Sequence, residues 1–112
     1  MRAALEDAER VLVPAHWWME VTNGVVMAER RKRMTPATGM EILRIFRELG
    51  VEVDDEPVAD SVERVASLAR ENGITAYDAA YLELAIRNGV PLASQDRVLS
   101  KVAGAFGVTT LG

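Results

Sequence analysis

The sequence has no cysteine and only one histidine, His16. The lack of cysteine excludes a disulfide framework, a thiolate metal site and a cysteine nucleophile. Long apolar runs are also lacking, since none approaches the roughly 20 residues that a helix needs to cross a bilayer. Residues 1–10 are charged and contain no apolar stretch of the kind found in signal peptides. We therefore predict a cytoplasmic protein with no membrane segment.

Positive charge is in short supply, because 13 Lys and Arg residues stand against 17 Asp and Glu residues, for a net charge of −4. This balance argues against a general electrostatic attraction to nucleic acid, although metal-binding carboxylates count toward the total without repelling a substrate. The one concentration of positive charge is the run Arg-Arg-Lys-Arg at residues 30–33. Since cations complement the dipole at a helix C-terminus, a solvated helix end is favoured over contact with an RNA backbone.

The 112 residues are few for two domains, and an apolar fraction of 49% is enough for one packed core. Helical patterns cover residues 3–10, 14 to about 33, 35–50, 57–72, 75–87 and 96–106. Short apolar or β-branched runs occupy residues 11–13, 51–53, 90–93 and 108–111. The alternation predicts a single α/β domain over residues 1–112, with mostly parallel strands joined by right-handed crossovers. An all-helical domain is the alternative, because the runs at 11–13 and 51–53 are barely long enough for strands.

Three acidic residues follow predicted strands or begin predicted helices. Asp96 comes after the run 90–93, Asp78 lies in the first turn of the helix that begins at Thr75, and Glu20 lies in the helix after the run 11–13. Ligands of open parallel sheets bind beyond the carboxyl ends of the strands. If these carboxylates converge there, they form an oxygen site suited to Mg²⁺ or Mn²⁺.

Each of these acidic residues also has a structural interpretation. Asp78 stands three residues after Thr75 and completes a capping box, and Asp96 caps its own helix together with Ser94. Glu20 is then an ordinary solvated residue of a helix. Taken one at a time, these structural interpretations are favoured, because capping residues and exposed acids are common.

Three segments of the chain contain the candidate acidic residues: PAHWWMEVTNGV at 14–25, TAYDAAYLELA at 75–85 and PLASQDRVL at 91–99. Together they resemble segments of the PIN-domain ribonucleases of the VapC toxin type. The first segment resembles the family's proline-started helix with its acidic residue, valine and asparagine. The second segment resembles the helix whose acidic residue follows a tyrosine, and the third resembles the strand followed by a hydroxyl, an aspartate and a basic residue. The order of the segments and their approximate intervals also agree.

The resemblance implies a three-layer α/β/α domain with a mostly parallel sheet, and a metal-dependent RNA endonuclease from a toxin–antitoxin pair. Carried over to this chain, it implies that Glu20, Asp78 and Asp96 are catalytic and ligate Mg²⁺ or Mn²⁺. Ser94 would assist through its hydroxyl, and Arg97 would contact the RNA substrate. A carboxylate-bound metal lowers the pKa of its water and neutralises charge on the phosphate, so no protein nucleophile is needed. The implied protein partner is a cognate antitoxin.

The sequence departs from the family at its N-terminal end. Such proteins begin with a strand that ends in an aspartate and lies in the middle of the sheet, between the strands that resemble 11–13 and 90–93. Residues 1–10 do not supply it, because Asp7 lies within a helical pattern and is not taken as the missing ligand. We therefore predict an N-terminally truncated domain. Loss of a central strand exposes two unpaired strand edges, so direct pairing of the flanking strands or assembly into a homodimer or higher oligomer is expected.

The missing aspartate leaves other functions open. One is a noncatalytic remnant of the family that acts as a dimerising or antitoxin-binding module, and another is an intact nuclease whose natural start lies upstream. Two further features have ordinary interpretations. His16, in the first turn of a helix, is expected to be exposed or to act in capping, and of Trp17 and Trp18 at most one faces the sheet, since adjacent helix residues point about 100° apart.

Overall fold

One sheet of five short strands organises the computed structural model, which describes residues 3–5 and 11–111. The strands are β1 (Ala3–Leu5), β2 (Val11–Val13), β3 (Glu52–Val53), β4 (Leu92–Ala93) and β5 (Thr110–Leu111). Their order across the sheet is β3-β2-β1-β4-β5. β2 pairs with β3, and β4 with β5, in parallel, whereas β1 is antiparallel to both of its neighbours. Four strands therefore run in one direction, which confirms the predicted α/β class with a mostly parallel sheet.

Five helices lie within the described residues and accompany the five-stranded sheet, so the all-helical alternative is wrong. They are α1 (Trp17–Arg30), α2 (Pro36–Glu48), α3 (Val58–Asn72), α4 (Ala76–Asn88) and α5 (Arg97–Ala105). The hydroxyls of Thr35 and Thr75 accept backbone N–H groups at the starts of α2 and α4, as expected of N-cap residues. None of the helices in the described residues is long and apolar enough to span a membrane.

The N-terminal segment corrects two predictions. The helix predicted over residues 3–10 is wrong for Ala3–Leu5, which form β1, while residues 6–10 lie outside the described residues. Ala4 pairs with Leu12 of β2 on one side and with Leu92 of β4 on the other. The predicted direct pairing of β2 with β4 is therefore also wrong, because β1 lies between them. The physical reason is that the backbone N–H and C=O groups at the edges of β2 and β4 form hydrogen bonds with β1. The free energy of these hydrogen bonds outweighs the helix propensity of alanine.

The core lies where α4 packs against the sheet. Most residues of α4 from Ala79 to Ala85 are buried, including a glutamate, whereas α3 has no fully buried residue. Side chains of β2, β4 and α5 and the first residue of α1, Trp17, also belong to this cluster. Trp17 is 1% exposed and Trp18 packs at its edge, which confirms that one of the two tryptophans faces the core. The helix that carries Asp78 is thus the most constrained helix of the described chain.

α1 and α2 approach closely at Gly39. A Cβ atom placed on Gly39 would lie 2.7 Å from Oε1 of Glu29 and 2.8 Å from Cγ1 of Val25, both on α1. Both distances are shorter than ordinary van der Waals contact, so a side chain at this position must push the helices apart or displace its neighbours. Gly104 of α5 is different, because a Cβ atom there would meet nothing within 4 Å.

We predict that Gly39→Ala lowers the free energy of unfolding by about 1 to 2 kcal/mol, because overpacking at the α1–α2 contact exceeds the gain in helix propensity. Urea denaturation followed by circular dichroism measures the change. The matched control is Gly104→Ala, which should raise the free energy of unfolding by about 0.5 to 1 kcal/mol, since it also removes a helical glycine but meets no neighbour. Equal stabilisation by both substitutions would contradict the close contact.

Candidate functional site

The carboxyl ends of β2 and β4 lie at the same end of the sheet. Both strands are antiparallel to β1, which lies between them, so they run in the same direction. α1 follows β2 and α5 follows β4, and Glu20 and Asp96 therefore belong to the helix starts at this end. We call this region, with Glu20, Asp78 and Asp96, the acidic end of the sheet. Because β1 runs the other way, its own carboxyl end lies at the opposite end.

Glu20 is held by α4 rather than being an ordinary solvated residue. Its Oε1 atom accepts a hydrogen bond of 2.6 Å from the hydroxyl of Tyr81, whose side chain is 1% exposed. The same oxygen lies 3.0 Å from Nε2 of His16, one turn earlier on α1. About a third of the Glu20 side chain, 34%, is accessible to solvent. One face of its carboxylate is thus fixed by the protein while the side chain reaches the surface.

His16 belongs to this arrangement, although the sequence predicted an exposed or capping residue. Its ring meets the rings of Tyr77 and Tyr81 edge to face, with centroids 5.4 and 5.2 Å away. It is the N-cap residue of α1 but its side chain makes no capping hydrogen bond. These contacts bring the first turn of α1 against the first turns of α4. Sequence reasoning missed Tyr81, although its spacing of three residues from Asp78 puts both on one face of a helix.

Asp78 lies in the first turn of α4, between the two tyrosines that contact His16. Its backbone N–H donates a 3.1 Å hydrogen bond to the hydroxyl of Thr75, so this residue takes part in the predicted helix cap. The side chain is half-buried. Since Tyr81 lies on the same face of α4 and binds Glu20, Asp78 and Glu20 belong to the same corner of the molecule.

Asp96 is the N-cap residue of α5, as its structural interpretation predicted. Its Oδ1 atom accepts the backbone N–H of Leu99 at 3.0 Å. The hydroxyl of Ser94, a buried residue, accepts the backbone N–H of Asp96 at 3.0 Å and so shapes the turn between β4 and α5. Asp96 itself and the following Arg97 are exposed. The carboxylate of Asp96 keeps lone pairs for a second partner, because one N–H uses only part of its accepting capacity.

The residues of the acidic end suit a divalent cation in chemistry, since Mg²⁺ and Mn²⁺ prefer carboxylate oxygens. The described residues do not, however, bring three or more Asp, Glu or His side chains close enough together to hold a metal ion. Glu20, Asp78 and Asp96 are thus near one end of the sheet without forming a complete set of ligands in the described part of the chain. Their joint action on a metal stays a prediction.

A second group of carboxylates lies between α3 and α4 and is neutralised by two arginines. Glu83, which is buried, accepts hydrogen bonds from Arg87 at 2.8 Å and from Arg64 at 3.1 Å. Two acidic residues that follow β3 join them, since Glu56 pairs with both guanidinium groups and Asp54 pairs with that of Arg87. Hydrogen bonds to Glu83 and then to Asp54 raise the pKa of Arg87 above its ordinary value. This network links α3, α4 and the residues after β3. Of its contacts, only the pair Glu83 and Arg87, four residues apart on α4, has a spacing from which an ion pair could be predicted.

Comparison with known proteins gives two matches. The PIN domain family matches residues 1–105 of the chain. A curated relative named Exonuclease VapC9, from Pyrobaculum aerophilum, is 45% identical over 58 residues, which are 51% of this chain and 41% of the relative. The aligned part thus spans less than half of that relative's length. Both matches confirm the resemblance to VapC-type PIN domains that the three sequence segments indicated.

The hydrogen bond from Tyr81 to Glu20 generates a prediction. Tyr81→Phe removes only the hydroxyl, and we expect the free energy of unfolding to fall by about 1 kcal/mol, a low value for a charged acceptor because Glu20 is partly solvated. Thermal and urea denaturation measure the effect. Tyr77→Phe is the matched control, since Tyr77 is 64% exposed and lies one turn earlier on the same helix; it should change stability by less than about 0.5 kcal/mol. Similar losses in the two variants would contradict a specific role of the Tyr81 hydroxyl.

Proposed function

The chain belongs to the PIN domain family, and on this premise we propose that it is a metal-dependent ribonuclease of the VapC type, the toxin component of a toxin–antitoxin pair. The observation that carries the proposal is the family match, which covers residues 1–105 and includes every candidate site residue. It is supported by the acidic residues that follow β2 and β4 and begin α4, where ligands of parallel sheets bind.

In the proposed site, Glu20, Asp78 and Asp96 are the catalytic carboxylates and hold Mg²⁺ or Mn²⁺. Such a metal, when bound, supplies an activated water and neutralises charge that develops on the phosphate. The other groups position these carboxylates. Tyr81 fixes one oxygen of Glu20, and Ser94 holds the turn before Asp96. Because Leu99 already donates to Asp96, the carboxylate is oriented before any ligand arrives.

The proposed substrate is RNA, cut internally by hydrolysis of a phosphodiester bond, with Arg97 contacting a phosphate beside Asp96. An exposed guanidinium at the start of α5 suits that role, because it offers paired donors to a phosphate. We also propose a cognate antitoxin as the protein partner, a homodimer or higher oligomer as the assembled form, and the cytoplasm as the location. These proposals rest on the family, not on a contact in this chain.

A noncatalytic family member that sequesters an antitoxin is the second candidate function. It is favoured by the absence, within residues 3–5 and 11–111, of any group of three residues that can hold a metal ion. The antiparallel direction of β1 favours it too, because the carboxyl end of this central strand lies at the end of the sheet opposite the acidic end. Activity and metal binding of the purified chain separate the two candidates.

We predict that Asp78→Asn and Asp96→Asn each lower the rate of RNA cleavage in Mn²⁺ by at least about 100-fold, a loss comparable to that caused by disturbing a metal site. Asparagine is chosen because it caps helices as well as aspartate does, so α5 keeps its cap and only the negative charge is removed. A circular RNA substrate, which has no ends, reports internal cleavage alone. The same RNA in linear form reports removal from the ends as well.

The control is Asp60→Asn, which removes an exposed acidic residue from the first turn of α3, the same helix turn that Asp78 occupies in α4. It should cleave at the wild-type rate. Wild-type rates in both Asp78→Asn and Asp96→Asn would refute the site assignment. A cooperatively folded wild-type chain that neither binds Mn²⁺ in calorimetric titration nor cleaves either RNA would favour the noncatalytic function.

A further inference from the structure

The turn between α1 and α2 differs from every other helix end in the described chain. Each of the five helices is followed within two residues by a residue in the left-handed conformation. Four of these residues are glycine: Gly50, Gly73, Gly89 and Gly107. After α1 the residue is Lys32, with φ of 58°, and it is the only described non-glycine residue with positive φ. A lysine thus occupies the left-handed position after α1, whereas the corresponding position after each of the other four described helices is glycine.

Lysine is an unfavourable choice for this conformation, because a Cβ atom crowds the backbone when φ is positive and glycine has none. The conformation is nevertheless well defined. The backbone N–H groups of Arg31, Lys32 and Arg33 donate to the carbonyls of Met27, Glu29 and Ala28 at 2.9 to 3.0 Å. Lys32 thus carries a local conformational cost that a glycine would avoid, and it adds a fourth cation to the run of residues 30–33. We call these four residues the basic turn.

The four cations of the basic turn are exposed and, among the described residues, form no ion pair with a carboxylate. Three arginines elsewhere in the described chain do form ion pairs. Arg44 of α2 pairs with Glu41 and Glu48, and the two arginines of the α3–α4 network are each bound by two or more carboxylates. In a protein with a net charge of −4, the basic turn is thus a concentrated positive patch that no described acid neutralises.

A cavity beside the acidic end of the sheet extends to the residue that follows the basic turn. This cavity, of about 360 Å³ between α1 and α2, is lined by Glu20, Tyr81 and Met34 together with apolar residues of the two helices, and the basic turn itself lies outside its lining. Gly24, one turn after Glu20, leaves its wall open. The basic turn begins at the last residue of α1, ten residues after Glu20 and so about 15 Å farther along the helix.

We propose that the basic turn binds the phosphodiester backbone of a single-stranded RNA that runs along α1 from the acidic end. This inference rests on the proposed function, because it takes the substrate of that site to be RNA. Cations that no carboxylate neutralises attract a polyanion and release its counterions, and an extended contact along α1 suits a flexible single strand. The basic turn would thereby fix the register of the RNA relative to the acidic residues.

The test is binding of a fluorescein-labelled single-stranded RNA, measured by anisotropy in EDTA so that no cleavage occurs. In the variant with Arg30→Gln, Arg31→Gln, Lys32→Gly and Arg33→Gln, the dissociation constant should rise at least 10-fold. The slope of log affinity against log salt concentration should become shallower by about 2 to 3, at roughly 0.7 for each phosphate that the protein no longer neutralises. Arg44→Gln with Arg47→Gln, which neutralises two cations of α2, is the control and should bind RNA nearly as the wild type does.

The single variant Lys32→Gly separates binding from structure. Glycine suits the left-handed position, so the melting temperature should rise or stay unchanged while the affinity for RNA falls. A merely structural helix end would leave RNA affinity at the wild-type value. That result, or a wild-type chain that does not bind the RNA, would overturn the proposal.

Other outcomes distinguish this inference from the proposed function. Weakened RNA binding in the basic-turn variants, together with a wild-type chain that binds but never cleaves RNA, would support the inference and contradict the nuclease. Wild-type binding and cleavage in the same variants would contradict the inference and leave the nuclease standing. Unchanged RNA affinity with weakened binding of polyglutamate would overturn it in favour of an acidic protein partner.

Discussion

Burial of α4 against the sheet is the constraint on which the other features of the molecule depend. Its buried residues cover β1 and β4, and the helix also contacts α3 and α5. A helix held on so many sides has little freedom to move, so the polar groups on it have defined positions. From this rigid helix, Tyr81 donates a hydrogen bond to Glu20, and Glu83 accepts hydrogen bonds from two arginines. Asp78 lies in the first turn of the same helix, so the packing of α4 also fixes the position of its backbone.

Two groups of acidic residues lie on this framework. Asp54, Glu56 and Glu83 share Arg64 and Arg87, so their charges are compensated within the protein and they tie β3, α3 and α4 together. At the acidic end, the partners seen for the carboxylates of Glu20 and Asp96 include a phenol hydroxyl, an imidazole and a backbone N–H group. The phenol hydroxyl and the backbone N–H group orient these two carboxylates.

Local signals account for what the sequence predicted well. Thr75 and Asp96 cap helices, and Gly73 and Gly89 end them, through contacts within a few residues. Non-local contacts account for what it missed. Ala3–Leu5 become a strand only because two strands from distant parts of the chain pair with them, and Tyr81 binds Glu20 across 61 residues of sequence. The candidate acidic residues were found because they stand at strand and helix ends, whereas their cooperation depends on geometry that spacing does not encode.

The central claim is that the carboxylates of the acidic end, and not those of the arginine network, receive a divalent cation. Anomalous diffraction from crystals soaked in Mn²⁺ tests it most directly, because it locates the metal without reference to activity. The account predicts an anomalous peak at the acidic end, about 2 to 2.6 Å from carboxylate oxygens of Asp78 and Asp96 and close to Glu20. A peak among Asp54, Glu56 and Glu83, or well-ordered crystals with no peak at the acidic end, would contradict it.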